Sequence, residues 1–225
     1  MHMQKTFTHR NSPIKLTELP VSHTGDRRFY LSPEGKKYPS VTTVTGWEKK
    51  QFFAEWRANN PKESKRVLHR GNCLHKLIEH YLNNENVELS AESPVVASLF
   101  VQMKETLDNI DNISALEVPL WSNTLGLAGR VDCVAEYNGK LSVIDFKGST
   151  RRKRKQNIEN YMLQATAYSI MWHERTGQPI DEFHIIISSE QGLPCEVFSG
   201  NPMHYVPRLF EVIQQYNKEY QYIVT

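Results

Sequence analysis

An α/β domain, with a small sheet flanked by helices, is the fold class predicted by this sequence of 225 residues. Three observations predict it. Apolar residues recur at three- and four-residue steps through 63–108, the pattern of helices that bury one face. Between 115 and 146 the texture changes to strand-like runs, two of them joined by Asn138-Gly139. A helical stretch over 158–175 then separates this meander from another apolar run at 183–188.

The elements follow in order. Phe29-Tyr30-Leu31 and Tyr38-Pro39-Ser40-Val41-Thr42 flank Ser32-Pro33-Glu34-Gly35, which predicts a hairpin. A helix is predicted from near Thr45, carrying Trp47, Phe52, Phe53 and Trp56 at the spacing of a buried face, and Asn59-Asn60-Pro61 breaks it. A second helix is predicted from Glu63 to Asn83 on Val67, Leu74, Ile78 and Tyr81. A third, from Pro94 to about Asp108, repeats the pattern with Val95, Leu99 and Met103. Strands are predicted near Ala115–Trp121, Gly129–Tyr137 and Lys140–Phe146, then a helix at Ile158–Arg175. Strands at Phe183–Ser188 and near Cys195–Phe198 and a helix over Pro202–Tyr222 complete the chain. No linker divides it, so one domain is expected: a hairpin region over 1–45, a helical region over 46–112, a core over 113–200 and a closing helix over 201–225.

Composition excludes several classes of function. No run of eighteen apolar residues exists, so no membrane-spanning helix is predicted. Met1–Arg10 lacks the apolar stretch of a secretory signal and, with one lysine and one arginine, makes a poor transit peptide. Cys73, Cys133 and Cys195 lie some sixty residues apart with no CxxC pair, which predicts reduced thiols of an intracellular protein rather than a zinc or iron–sulfur site. With 27 Lys+Arg against 25 Asp+Glu, the formal charge is only +2, which excludes a uniformly basic binder. The distribution is lopsided, however. Residues 1–50 carry nine bases against four acids, 79–120 carry eight acids and one lysine, and Arg151-Arg152-Lys153-Arg154-Lys155 is a run of five bases. Such a surface can track a phosphate backbone.

The chemistry concentrates in Arg130–Lys147. Asn138-Gly139 suits a two-residue type I′ turn, whose central positions both need positive φ. That loop sets the register: Tyr137 faces Lys140, and Asp132 comes opposite Asp145 as a non-hydrogen-bonded pair, β-carbons about 4.5–5.5 Å apart. Lys147 is two residues past Asp145 and shares its face, with Val134 and Val143. Two carboxylates at that separation repel by on the order of 3 kcal/mol at an effective dielectric near 20. A lysine relieves part of this, and a divalent cation relieves it better, because hard oxygen ligands suit Mg²⁺ or Mn²⁺. Lysine beside such a cation is placed to orient or deprotonate a water, as in metal-assisted hydrolysis.

Asp132 followed thirteen residues later by Asp145-Phe146-Lys147 resembles the PD-(D/E)xK nuclease superfamily, with its restriction-endonuclease-like core. Arg70-Gly71-Asn72-Cys73-Leu74-His75 is similar to the glycine-to-histidine element of its RecB-type branch, and Gln164-Ala165-Thr166-Ala167-Tyr168 to that branch's Q-x-x-x-Y element. The Asp132–Leu141 hairpin and Pro39-Ser40-Val41-Thr42 also resemble the exonucleases that maintain mitochondrial genomes. The resemblance covers roughly residues 38–175. It departs from the pattern after the lysine, where family members often have threonine and this chain has Gly148-Ser149.

The resemblance implies an Mg²⁺- or Mn²⁺-dependent exonuclease acting on single-stranded or flap DNA with a free end, in replication, repair or recombination. A structure-specific endonuclease of the same fold and a non-catalytic DNA-binding recombination partner are the alternatives. By position, His75, Asp132, Asp145 and the Phe146 carbonyl would bind the cation, and Lys147 would hold the attacking water or the scissile phosphate. Glu79, four residues after His75 on the same helix face, is placed to orient the histidine. Gln164 and Tyr168 share a face and suit substrate contact. Ser40, Thr42 and Thr43 offer hydroxyls to phosphate, and so do the bases Arg151, Arg152, Lys153, Arg154 and Lys155 their charge. The expected setting is a monomer in the cytoplasm, of bacterial or viral origin, with a mitochondrial one left open and replication or recombination proteins as further partners.

Overall fold

In the computed structural model, residues 5–14, 17–192 and 194–220 are described. The chain first builds an antiparallel sheet from β1 (Val21–Thr24), β2 (Arg27–Leu31) and β3 (Lys37–Pro39), so the predicted hairpin gains a third strand. Ser40-Val41-Thr42 does not extend β3. Ser40 Oγ accepts the Thr43 N–H at 3.1 Å and caps α1 (Val41–Thr45), a local bond that outweighs the β-branched texture of the segment. After a 3-10 turn comes α2 (Lys50–Asn59), which buries none of its residues. Phe52 is 64% exposed and Phe53 41%, so these two rings of the predicted buried face point outward, while Trp47 packs against the core.

Two long helices follow, α3 (Pro61–Leu82) and α4 (Pro94–Leu107). Proline opens each, where its missing N–H costs nothing. Leu74, Leu77, Ile78 and Tyr81 of α3 pack with Leu99, Phe100 and Met103 of α4. Val95 turns outward and Val96 takes the inner position.

The central sheet has five strands in the order β4 (Ile110–Ser122), β5 (Leu127–Tyr137), β6 (Lys140–Ser149), β7 (Glu182–Ser189), β8 (Glu196–Gly200). It is mixed, with β6 and β7 parallel and the other pairs antiparallel. The crossover from β6 to β7 is α5 (Glu159–Thr176), and α6 (Val206–Tyr220) closes the described chain. The last two residues of the helix predicted over Pro202–Tyr222 lie outside the described residues. Helices α5 and α6 cover one face of the sheet, over Val134, Val143 and Ile185, while α3 and α4 cover the other, over Cys133, Ile144 and Phe146. No helix among the described residues is long and apolar enough to cross a membrane. The three cysteines are free thiols, as expected.

Candidate active site

Asn138 and Gly139 take φ of +51° and +80°, and the hairpin they close has the predicted register from Tyr137/Lys140 to Cys133/Ile144. The ladder then gives way. Asp132 does not continue it as a backbone partner of Asp145; instead its Oδ2 accepts the Phe146 N–H at 2.9 Å. A carboxylate thus replaces a carbonyl as the acceptor, which lets the strands part while the donor stays satisfied. Asp145 and Lys147 remain on one face, as the alternation requires, with Lys147 Nζ 2.6 Å from Asp145 Oδ1 and 3.9 Å from Asp132 Oδ2.

A second departure from regular strand lies opposite. Leu116 pairs with Cys133 and Val118 with Val131, and Glu117 between them has φ +50°. Ala115 and Val118, three residues apart, pack on the same core, and so do Val134 and Val131. Side-chain alternation therefore slips by one residue on both strands at once, at Glu117 and Asp132. A non-glycine residue held at positive φ costs about 1–2 kcal/mol, and such strain gathers at functional sites.

Helix α3 brings His75 to the same point. Its Nδ1 lies 3.1 Å from Glu117 Oε1 and 3.9 Å from Asp132 Oδ2. The carboxylate that engages the ring is thus Glu117, in place of Glu79, which sits farther along α3 beside an adjoining hollow. Glu117 was missed in the sequence, although a single charge in the run Ile113–Trp121 was a signal. His75, Glu117 and Asp132 each offer an atom within 4.8 Å of the others.

The close approach of α3 to β6 depends on Gly148. A Cβ there would meet Leu74 Cδ2 at 3.0 Å, so a larger residue would have to push that side chain aside. Ser149, whose hydroxyl donates to the Arg151 carbonyl at 2.6 Å, holds the turn that follows. Buried Arg70, one helical turn before Leu74, fixes the strand end by donating to the Gly148 carbonyl and Thr150 Oγ1, both at 3.1 Å, and to Glu190.

A cleft of about 240 Å³ collects seven of the candidates: Ser40, Thr42, His75, Asp132, Lys147, Gln164 and Tyr168 line it, joined by Glu117 and Arg28. Gln164 and Tyr168 reach it from α5, where Tyr168 is buried and lies so near Gly129 that a Cβ there would be 2.6 Å from its hydroxyl. The hydroxyl of Ser40 is committed to the α1 cap and to Thr43 Oγ1 at 2.7 Å, leaving Thr42 as the exposed hydroxyl at the rim. Asp145 lies beneath the floor, 1% exposed. The run Arg151–Lys155 does not line the cleft. It follows β6 across the surface, where Arg152 Nε lies 3.4 Å from Glu196 and the Lys153 N–H donates to the same carboxylate at 2.9 Å.

The electrostatics are those of a site built for positive charge. Burial raises the Asp145 carboxyl to about 7, despite Lys147 beside it. Burial disfavours the charged His75 ring, but Asp132 and Glu117 outweigh it and raise the pKa to about 9. Burial likewise raises Glu117. Lys147 is held above its ordinary value, because Asp145 and Asp132 outweigh its burial. Among the described residues Asp145 Oδ2 has no hydrogen-bond partner, although it is buried. An imidazole and two carboxylates within 4.8 Å of one another, with the orphaned Asp145 oxygen beneath them, suit a hard divalent cation.

Comparison with known proteins agrees with this geometry. The chain is 32% identical over 117 residues to mitochondrial genome maintenance exonuclease 1 of Mus musculus, covering 52% of this chain and 32% of that protein. It is 27% identical over 130 residues to mitochondrial genome maintenance exonuclease 1 of Homo sapiens, covering 57% and 38%. The chain thus spans about a third of the length of these curated relatives. Residues 49–215 match the PD-(D/E)XK nuclease superfamily, three quarters of the chain and every element of the cleft beyond its N-terminal rim. With the mixed five-stranded sheet and the DxK hairpin in place, the chain belongs to the PD-(D/E)XK nuclease superfamily.

Proposed function

We propose that the chain is a divalent-metal-dependent deoxyribonuclease that removes nucleotides from a free end of single-stranded or flap DNA, in replication, repair or recombination. The observation that carries this reading is the gathering of His75, Glu117, Asp132 and Lys147 in one cleft, with Asp145 beneath its floor beside Lys147, its buried Oδ2 without a hydrogen-bond partner among the described residues. His75, Asp132, Asp145 and the Phe146 carbonyl would hold Mg²⁺ or Mn²⁺. Such a cation supplies charge neutralisation at the scissile phosphate and lowers the pKa of a water. The chain's own residues do the rest. Lys147 donates to the water or to a phosphate oxygen from its place on β6, and Glu117 fixes the ring orientation of His75. Gln164 and Tyr168, from α5, bound the site on the side away from α3 and position the strand. The relatives, named as exonucleases, support action at ends rather than within a duplex. The Arg151–Lys155 run contributes long-range attraction for phosphate rather than contact in the cleft.

Linear single-stranded DNA labelled at either end, with and without Mg²⁺, tests this reading. Cation-dependent loss of label from an end is expected, and Lys147→Ala is expected to lower the rate by about 10²–10⁴-fold. A closed circular single strand should survive; its rapid cleavage would replace the exonuclease reading with an endonuclease. Undiminished activity in Lys147→Ala would refute the assigned chemistry.

A further inference from the structure

A second hollow, of about 430 Å³, adjoins the cleft and shares Arg28 and Thr42 with it. Tyr161 connects the two, lining the hollow while its ring lies 5.3 Å from Lys147 Nζ. The lining carries Arg27, Arg28, Lys50 and Arg57 against Asp26. Lys50 is taken by Glu219 and Tyr220. Arg27, Arg28 and Arg57 have no ion-pair partner among the described residues. Trp47 and Phe53 stand among these cations, and Phe53 is 41% exposed. Unneutralised arginines beside the open ring of Phe53, with the half-buried Trp47 behind it, match a polyanion whose repeating units also present flat apolar faces.

The other side of the cleft differs. There a hollow shares His75 and Glu117 with the cleft and is lined by Val67, Leu68, Lys76 and Glu79. One lysine among two carboxylates offers a phosphate backbone little. The three hollows make one track, with Asp132, His75 and Lys147 in its middle and unlike ends.

We propose that the uncut part of a DNA single strand lies in the arm between β2 and α2, its phosphates on Arg27, Arg28 and Arg57 and its bases against Trp47 and Phe53, and that the released product leaves past His75 and Glu79. This rests on the nuclease reading above and adds to it a direction through the site. It also assigns strand contact to this arm in preference to Arg151–Lys155, which does not line the cleft and whose Arg152 side chain is paired with Glu196.

The test is binding of a fluorescent single-stranded oligonucleotide to the full chain in EDTA, at several salt concentrations, with hydrolysis in Mg²⁺ measured in parallel. All substituted positions in the arm are surface residues. Arg27→Ala/Arg57→Ala should lower the slope of log affinity against log salt by about 1.4, two phosphate contacts at roughly 0.7 each. Phe53→Ala should weaken binding by about five- to hundredfold and raise KM more than it lowers kcat. Exposed Lys140→Ala, at the far end of the central hairpin, is the control. If the wild type hydrolyses DNA but the double variant keeps the wild-type affinity and salt slope, the arm is refuted and the nuclease reading stands. If Arg152→Ala/Arg154→Ala lowers the slope and the arm variant does not, the strand runs on the basic strip and the arm is again refuted. A wild type that hydrolyses no DNA removes the nuclease reading and the arm with it.

Discussion

Replacing Glu117 by glycine and, separately, by alanine divides what its side chain does from what its backbone costs. Both variants lose the carboxylate that stands 3.1 Å from His75, so both leave the ring without its partner. They differ only in how they meet φ +50°. An L-residue pays about 1–2 kcal/mol in that region. Glycine does not, but gives back about 0.5–1 kcal/mol through the greater freedom of its unfolded chain. Glycine should therefore be the more stable variant by about 0.5–1 kcal/mol, the reverse of the usual order inside a strand. For a chain of 225 residues this corresponds to a Tm higher by about 1–4 °C. Thermal and urea unfolding of the two variants in EDTA measure it, with equal m values as the sign that the same fold unfolds. Titration with Mn²⁺ should show both binding about 10–100-fold more weakly than wild type, the range for losing a group that orients a metal-binding histidine. If alanine equals or exceeds glycine in stability, the backbone at 117 carries no left-handed strain, and the account of the slipped alternation at Glu117 and Asp132 is wrong.

Cation binding should release protons. With His75 raised to about 9 and Asp145 to about 7, the metal-free site holds protons at pH 7 that a bound cation must displace, so affinity should climb between pH 6 and 9. Calorimetry at pH 7.5 in two buffers of different ionisation enthalpy should give different apparent heats, and identical heats would contradict the reading. Gly129→Ala should cost about 1–3 kcal/mol by pressing on the buried Tyr168 hydroxyl, and adding Tyr168→Phe should recover part of that loss. Additive effects in that double variant would show that the two positions do not touch. Arg70→Ala should cost about 3 kcal/mol, because Glu190 and the Gly148 carbonyl both lose a donor. A melting temperature within a degree of wild type would deny Arg70 its role at the end of β6.

Those parts of the fold governed by local rules were readable from the sequence. Asn138-Gly139 dictates its own turn, and from that turn the facing of five residue pairs follows by counting. The α3 and α4 boundaries were readable to within about two residues, because proline opens each helix and apolar periodicity runs its length. What depended on partners far away in the chain was not. Periodicity showed that Phe52 and Phe53 share a face with Trp56, but not that, among the described residues, no other element buries the two phenylalanines. Val95 and Val96 are equally apolar, and only the angle at which α4 meets β7 decides which is buried. Counting also could not show that the ladder would stop short of Asp132 and hand the Phe146 N–H to a side chain. Of the site, the residues in the DxK hairpin, His75 and the α5 pair came from motifs with fixed spacing. Glu117 had none, since its role comes from a backbone conformation and from a helix forty residues earlier. The origin and compartment expected from the sequence gain no support from relatives that are both mitochondrial.

The cap at Ser40 has a mechanical side. Its N–H takes the Arg28 carbonyl at 2.8 Å, and the same residue bridges to Ala128, the neighbour of Gly129. A relay of backbone contacts therefore runs from the arginine-bearing strand β2 through one residue into the strand that carries Asp132. A pull on β2 is passed on at the cleft instead of being absorbed in a loose loop. The N-terminal sheet then acts as a lever seated against the reaction centre, and amide exchange at Ser40 should slow when a strand occupies the cleft.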